Sequence, residues 1–129
     1  MFALQVAPQA QARASGAWEP YAETRLAALA AEGKPVFVDF TAAWCVTCQY
    51  NKQTTLARAE VLDAFRAANF ALLRADWTRR DPAITAALAQ LGRNGVPVYV
   101  IYRKGRTPAV LSEVLGVQEV RAAISSSPL

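Results

Sequence analysis

Cys45-Val46-Thr47-Cys48 contains both cysteines of the chain, directly behind Trp44 and the apolar run Val36-Phe37-Val38-Asp39-Phe40. A pair at this spacing either closes a small disulfide ring or opens as a dithiol. Set after a strand and at the start of a helix, it reads as a redox-exchange site rather than a structural staple. Exchange needs one thiolate that attacks and a second thiol that resolves the mixed disulfide. Histidine is absent, so Ser-His-Asp and Cys-His hydrolases cannot be built. A mononuclear zinc site normally takes four ligands of cysteine or histidine type, and the chain offers only the two cysteines. On this count no resident zinc or other metal site is assigned within one chain, and a metal bridged between two chains stays open.

The elements that must position this pair follow from the rest of the sequence. A chain of 129 residues fits one domain with a core that needs no disulfide scaffold. Its 53% hydrophobic and 19% charged residues are a globular balance, and no apolar stretch approaches the roughly 20 residues of a membrane span. Residues 1–16 are rich in Ala and Gln, with Pro8 and Gly16, and read as a linker or flexible arm ahead of a domain over 17–129. Met1 to Ala17 has no basic n-region and makes a poor signal peptide. Export information for a protein acting outside the cytoplasm would then lie on a longer parent chain. The net charge of +4 is dispersed, with Arg79-Arg80 and Arg103-Lys104-Arg106 in loops or turns. This describes a solvated surface rather than a nucleic-acid face.

A helical pattern begins at Trp18, which would anchor it, with Tyr21, Leu26, Leu29 and Ala30 near one face and Gly33 and Pro35 as the stop. Val36 to Thr41 reads as a buried strand, followed by a helix from Cys45 towards Leu56. A second amphipathic piece carries Val61, Leu62 and Phe65, and Phe70 to Ala75 is the next strand. Asp81 and Pro82 open a helix with Ile84, Leu88 and Leu91 inward, ended by Gly92. Val96 to Tyr102 and Ala109 to Glu113 form strands joined through the turn Lys104-Gly105-Arg106, and Val117 to Ile124 is the last helix. The first two strands, joined by a helical crossover, should be parallel, and the last two antiparallel. The fold class is therefore α/β, a mixed central sheet of about four strands with helices on both faces.

This order, with C-x-x-C at the strand–helix junction, resembles the thioredoxin fold. The stretch from Val38 to Cys48 resembles that family's active-site segment, with Asp39 at the place of its buried acid. Gly95-Val96-Pro97 resembles its cis-proline loop, and Gly116 precedes the last helix as in that family. The segment Phe40 to Cys48, followed by Ala75-Asp76-Trp77-Thr78-Arg79-Arg80-Asp81-Pro82, is similar to the C-terminal periplasmic domain of the DsbD family, copper-tolerance relatives included. The resemblance covers roughly residues 17–125.

It implies a thiol–disulfide oxidoreductase whose only redox group is the Cys45/Cys48 couple, with no added cofactor. A membrane-embedded domain would donate the electrons. Thioredoxin-like or other disulfide-bearing periplasmic proteins would accept them from a monomeric periplasmic domain of an inner-membrane protein. Cys45, at a helix N-terminus, would be the nucleophile, its thiolate favoured over a free cysteine of pKa about 8.5. Cys48, a turn further in, would resolve. A carboxyl in an apolar strand has a raised pKa, which fits Asp39 for proton exchange with Cys48 through water. Pro97 would stack beside the disulfide, Val96 would offer backbone hydrogen bonds to an extended substrate segment, and Trp44 would both fill and shield the site. Trp77 reads as packing or family-specific surface, while Tyr50 and Tyr102 carry no functional signal. Lys52 departs from the pattern, because DsbD-type domains often carry a glutamate there, and a cation at that position would favour the thiolate. Two other readings are a free-standing thioredoxin-like reductase and a module whose soft thiolates bind copper(I).

Overall fold

A computed structural model describes residues 18–126, so the arm expected over 1–16 lies outside the described residues. In chain order the elements are β1 (Trp18–Pro20), α1 (Glu23–Ala31), β2 (Val36–Thr41) and α2 (Val46–Asn51), which continues into a π-helical turn, Lys52–Leu56. Then come α3 (Ala59–Ala67), β3 (Ala71–Asp76), α4 (Pro82–Gln90), β4 (Val98–Tyr102), β5 (Ala109–Val110) and α5 (Val117–Ile124). The sheet order is β1-β3-β2-β4-β5, with β1 and β2 parallel to β3, β4 antiparallel to β2, and β5 antiparallel to β4.

The sheet thus has five strands, one more than the sequence pattern indicates, because Trp18–Pro20 is a strand and the first helix begins only at Glu23. Three residues are too few to show a two-residue period. Pairing across to β3 at Leu72, Leu73 and Arg74 is what makes this segment extended. Trp18 anchors the sheet rather than a helix, its ring edge-on to Phe37 at 6.0 Å. The stops behave as their chemistry dictates. Gly33, at φ 80°, takes the left-handed turn that closes α1, and the N–H of Lys34 returns to the Leu29 carbonyl. Asp81 caps α4 by accepting the Ala83 N–H at 2.8 Å, with Pro82 at the first position.

All six residues of β2 are buried, as befits a central strand covered on both faces. Alternation then sorts its side chains. Val36, Val38 and Phe40 face a core completed by Leu29 of α1 and by Ile84 and Leu88 of α4. Phe37 faces the opposite core with Leu56, Val61, Phe65, Tyr99 and Val120, so α2, α3 and α5 cover that side. Asp39 and Thr41 share the parity of Phe37 and therefore lie on the α2 side of the sheet.

Asn51 ties that side together. Fully buried at the end of α2, its amide nitrogen donates to the Tyr99 hydroxyl at 2.8 Å and the Glu113 carbonyl at 2.7 Å, and its oxygen accepts the Leu115 N–H at 3.1 Å. Thr55 adds a hydroxyl bond to the Leu115 carbonyl at 2.7 Å. Helix α2 and the loop before α5 are thus one hydrogen-bonded unit. Truncating Asn51→Ala leaves buried donors and acceptors unpaired and should destabilise the domain by about 2–4 kcal/mol. The check is a drop in the urea midpoint at unchanged m-value.

Candidate functional site

The crossover from β2 into α2 carries the cysteines. Cys45 is the N-cap of α2 in extended conformation, and its sulfur accepts the Cys48 N–H at 3.1 Å. A sulfur in this place satisfies one of the helix's free N–H groups, the same contact that would stabilise a thiolate. The two cysteines form a disulfide with Cα atoms 5.2 Å apart. Cys48 is fully buried and Cys45 nearly so, and both pack with Ala42 and against Val96. The Val96–Pro97 peptide is cis. A cleft of about 150 Å³ beside this loop is lined by Gly95, Val96 and Pro97, with Arg93 and Glu113 at its charged margins.

Asp39 is wholly buried on β2. Its Oδ2 accepts Arg74 Nε at 3.1 Å, while Oδ1 is buried without a hydrogen-bond partner among the described residues. Burial pushes this carboxyl above its usual range, against the pull of the Arg74 and Lys52 cations. Arg74 stands in direct register with Asp39 across β2 and β3, and its guanidinium lies 4.1 Å from the centre of the Trp18 ring. Motif spacing does not single out Arg74. The signal that does is a lone cation inside one apolar strand matching a lone acid inside another.

Lys52 begins the π-helical turn, half-buried, and donates to Thr41 Oγ1. Burial lowers its pKa, opposed by the Asp39 and Asp76 carboxylates. Its electrostatic partners are therefore the buried acid and the acid at the end of β3. Asp76 in turn is held below the usual carboxylate range, chiefly by its bond from the Thr78 hydroxyl.

Trp44 is 49% exposed immediately before Cys45. Its indole N–H donates to the Thr78 carbonyl at 3.0 Å, and the Ala43 N–H donates to Thr78 Oγ1 at 2.8 Å. The 76–80 loop thus cradles the active-site turn, a role that its sequence does not announce. Trp77 is buried in the core, as the packing reading expects, and bonds Thr85 Oγ1 at 2.8 Å. Tyr50 is exposed. Tyr102 lies in β4, where burial pushes its phenol up to about 12. Among the described residues, no group of three Cys, Asp or Glu side chains is placed to hold a metal ion. A larger cleft of about 560 Å³ lies between α3 and α5, lined by Ala64, Ala68, Ala122 and Arg121 rather than by any of these groups.

A dithiol–disulfide pair capping a helix, facing a cis-proline loop over a mixed sheet, defines the thioredoxin-like class, and the thioredoxin-like family model matches residues 17–104. The chain belongs to that family. Within it, the chain is similar to thiol:disulfide interchange protein DsbD. It is 30% identical over 94 residues to that of Vibrio cholerae and 38% identical over 72 residues to that of Cronobacter sakazakii. These matches take in 73% and 56% of the chain but only 15% and 12% of those proteins, so the chain spans about one-seventh of their length. Among solved structures, the oxidised C-terminal domain of Neisseria meningitidis DsbD aligns with TM-score 0.66 and 26% identity, over 81% of this chain and 96% of that domain. A thioredoxin from Thermus thermophilus aligns with TM-score 0.68 at 22% identity, over 85% of each chain, and shares the fold. The chain is thus a thioredoxin-like domain with a Cys45–Cys48 disulfide, similar to the C-terminal domain of DsbD. No helix among the described residues is long and apolar enough to cross a membrane.

The raised pKa of Asp39 has a thermodynamic signature. The folded state holds this proton more tightly than the unfolded chain does, so the stability it contributes is full below the ordinary value of 3.8. That contribution is lost as pH rises through the raised value. Asp39→Asn, which cannot ionise, should therefore gain in urea midpoint over the wild type as pH rises from about 4 to about 8, the two converging at the acid end.

Proposed function

We propose that this domain relays electron pairs from a membrane-embedded donor domain to thioredoxin-like or other disulfide-bearing proteins in the periplasm. The observation that carries the reading is the Cys45 sulfur, which caps α2, shares a disulfide with Cys48 and packs against Val96 before the cis-proline. Similarity to DsbD, a thiol:disulfide interchange protein, supports the reaction class.

In the forward reaction the reduced domain presents Cys45 as thiolate. It attacks one sulfur of the partner's disulfide, forming a mixed disulfide and expelling the partner's other sulfur as thiolate. Asp39, with Oδ1 free of hydrogen bonds among the described residues, accepts the Cys48 proton through water. The Cys48 thiolate then attacks Cys45, and the second partner sulfur leaves. The partner gains two electrons and leaves as two thiolates, which take up one proton passed on from Cys48 by way of Asp39 and one from solvent, and the domain is left with the Cys45–Cys48 disulfide. The donor domain reduces it again by the reverse steps. Val96 offers main-chain bonds to the partner's extended segment and Pro97 packs beside the disulfide, while Trp44 shields the sulfur from one side. Lys52, half-buried and drawn to Asp39 and Asp76, sets the field around the site.

Two experiments test the assignments. Cys48→Ala should accumulate mixed disulfides through Cys45 when exposed to periplasmic extract, and Cys45→Ala should accumulate none. Equal capture by both variants would overturn the division of roles. Lys52→Glu should move the Cys45 thiolate titration, followed by thiolate ultraviolet absorbance, to higher pH, since an anion near the site disfavours a second one. An unmoved titration removes Lys52 from the tuning.

A further inference from the structure

Arg80 lies against the active-site turn in an unusual way. Its guanidinium carbon is 5.1 Å from the centre of the Trp44 ring and 4.9 Å from that of Trp77, and the two rings are 6.0 Å apart at 53°. Both distances are within the roughly 6 Å over which a cation is held by an aromatic face. The backbone enforces the placement: Arg80 takes φ 54°, left-handed for a residue with a side chain, and its N–H bonds the Trp77 carbonyl at 2.9 Å.

Held over two rings by cation–π contact rather than by hydrogen bonds, the guanidinium keeps N–H donors on its edge for a further partner. No hydrogen bond or ion pair among the described residues uses that edge. The acids nearest in sequence are engaged elsewhere. Asp81 Oδ1 accepts the N–H groups of Ala83 and Ile84, and Asp76 Oδ1 accepts both the N–H and the hydroxyl of Thr78. The result is a planar donor pair, exposed and fixed, resting on the exposed indole that directly precedes Cys45. Such a pair matches the two oxygens of a carboxylate.

We propose that the edge of Arg80 binds a carboxylate on the partner protein, so that the domain favours partners with an Asp or Glu beside the reacting disulfide. This deepens the exchange reading and rests on it. Trp44 and Trp77 act as the platform, and Thr78 holds the platform to the turn. The occupant is a protein carboxylate because the substrate of the exchange is a protein disulfide.

The test compares two synthetic peptide disulfides that differ only in Glu or Gln next to the reacting cysteine. Each is reacted with the reduced domain, and the ratio of rate constants is the readout, which cancels any general change in thiol reactivity. The wild type should prefer the Glu peptide by about three-fold or more at low ionic strength, the preference shrinking as salt is added. Arg80→Gln should bring the ratio to one, and Arg80→Glu should invert it and favour a Lys peptide, a gain that misfolding cannot mimic. A wild-type ratio of one, or a Glu preference that survives in Arg80→Gln, overturns the carboxylate site while leaving the exchange reading intact. Failure of the wild type to reduce an uncharged disulfide such as hydroxyethyl disulfide overturns both.

Discussion

The carboxyl of Asp39, without solvent exposure at the centre of the sheet, is the constraint around which the rest of the structure is arranged. A charge there is costly, and an unpaired one more so. The sheet order answers this by setting β3 next to β2 in the one register that puts Arg74 opposite Asp39. Trp18, on the edge strand β1, then covers the guanidinium face, so the three strands β1, β3 and β2 are joined by polar and π contacts as well as by their ladders. Lys52 approaches from the helical side through Thr41, one residue pair along β2. Shifting β2 against β3 by one residue would turn Asp39 into the opposite core and separate it from both cations.

The second constraint is the rigidity of α2. Each of its ends is held by a loop distant in the chain. Thr78 fixes the turn before Cys45, and Asn51 with Thr55 fixes the segment around Leu115. The π-helical turn serves this directly. Its longer loop, closed by the Ala57 N–H on the Lys52 carbonyl at 2.9 Å, keeps Asn51, Thr55 and Leu56 all buried while Lys52 reaches Thr41. The cysteines therefore sit on a helix whose position is set by side-chain hydrogen bonds rather than by its own short length.

How much of this is legible in the chain depends on how local each signal is. The Cys45/Cys48 spacing, the Asp81-Pro82 start and the Gly33 and Gly92 stops are local, and the structure places them where the sequence pattern does. The parallel first pair and antiparallel last pair follow from connection length alone. The strand at Trp18–Pro20 is not local, since only pairing with β3 extends it, and the helical spacing of Tyr21, Leu26 and Leu29 masks it. The partners of Asp39 and Trp44 are hidden for the same reason. Arg74 and Thr78 each lie more than thirty residues along the chain from the groups they hold, and register and loop path, not spacing, bring them together. Each of the two basic clusters that read as solvated surface also commits at least one member to a defined contact. Arg80 stacks on the indoles, and Arg103 donates to the last carbonyls of α5.

Whether Asp39 can take up a proton at all depends on the balance among three effects. Arg74 and Lys52 both pull the carboxyl toward ionisation, and a fully dry ion pair would hold it ionised through the redox cycle. Neither cation is fully dry. The Arg74 side chain keeps 28% exposure, and Lys52 is half-buried and shared with Asp76. Water at their outer edges weakens their hold, while the carboxyl itself has no such relief, so desolvation wins and the carboxyl stays protonatable. Its one unpartnered oxygen belongs to a side chain on the same side of the sheet as α2, the helix that carries Cys48. Partial exposure of the two cations is therefore what allows one buried acid to be both structurally tolerated and chemically available.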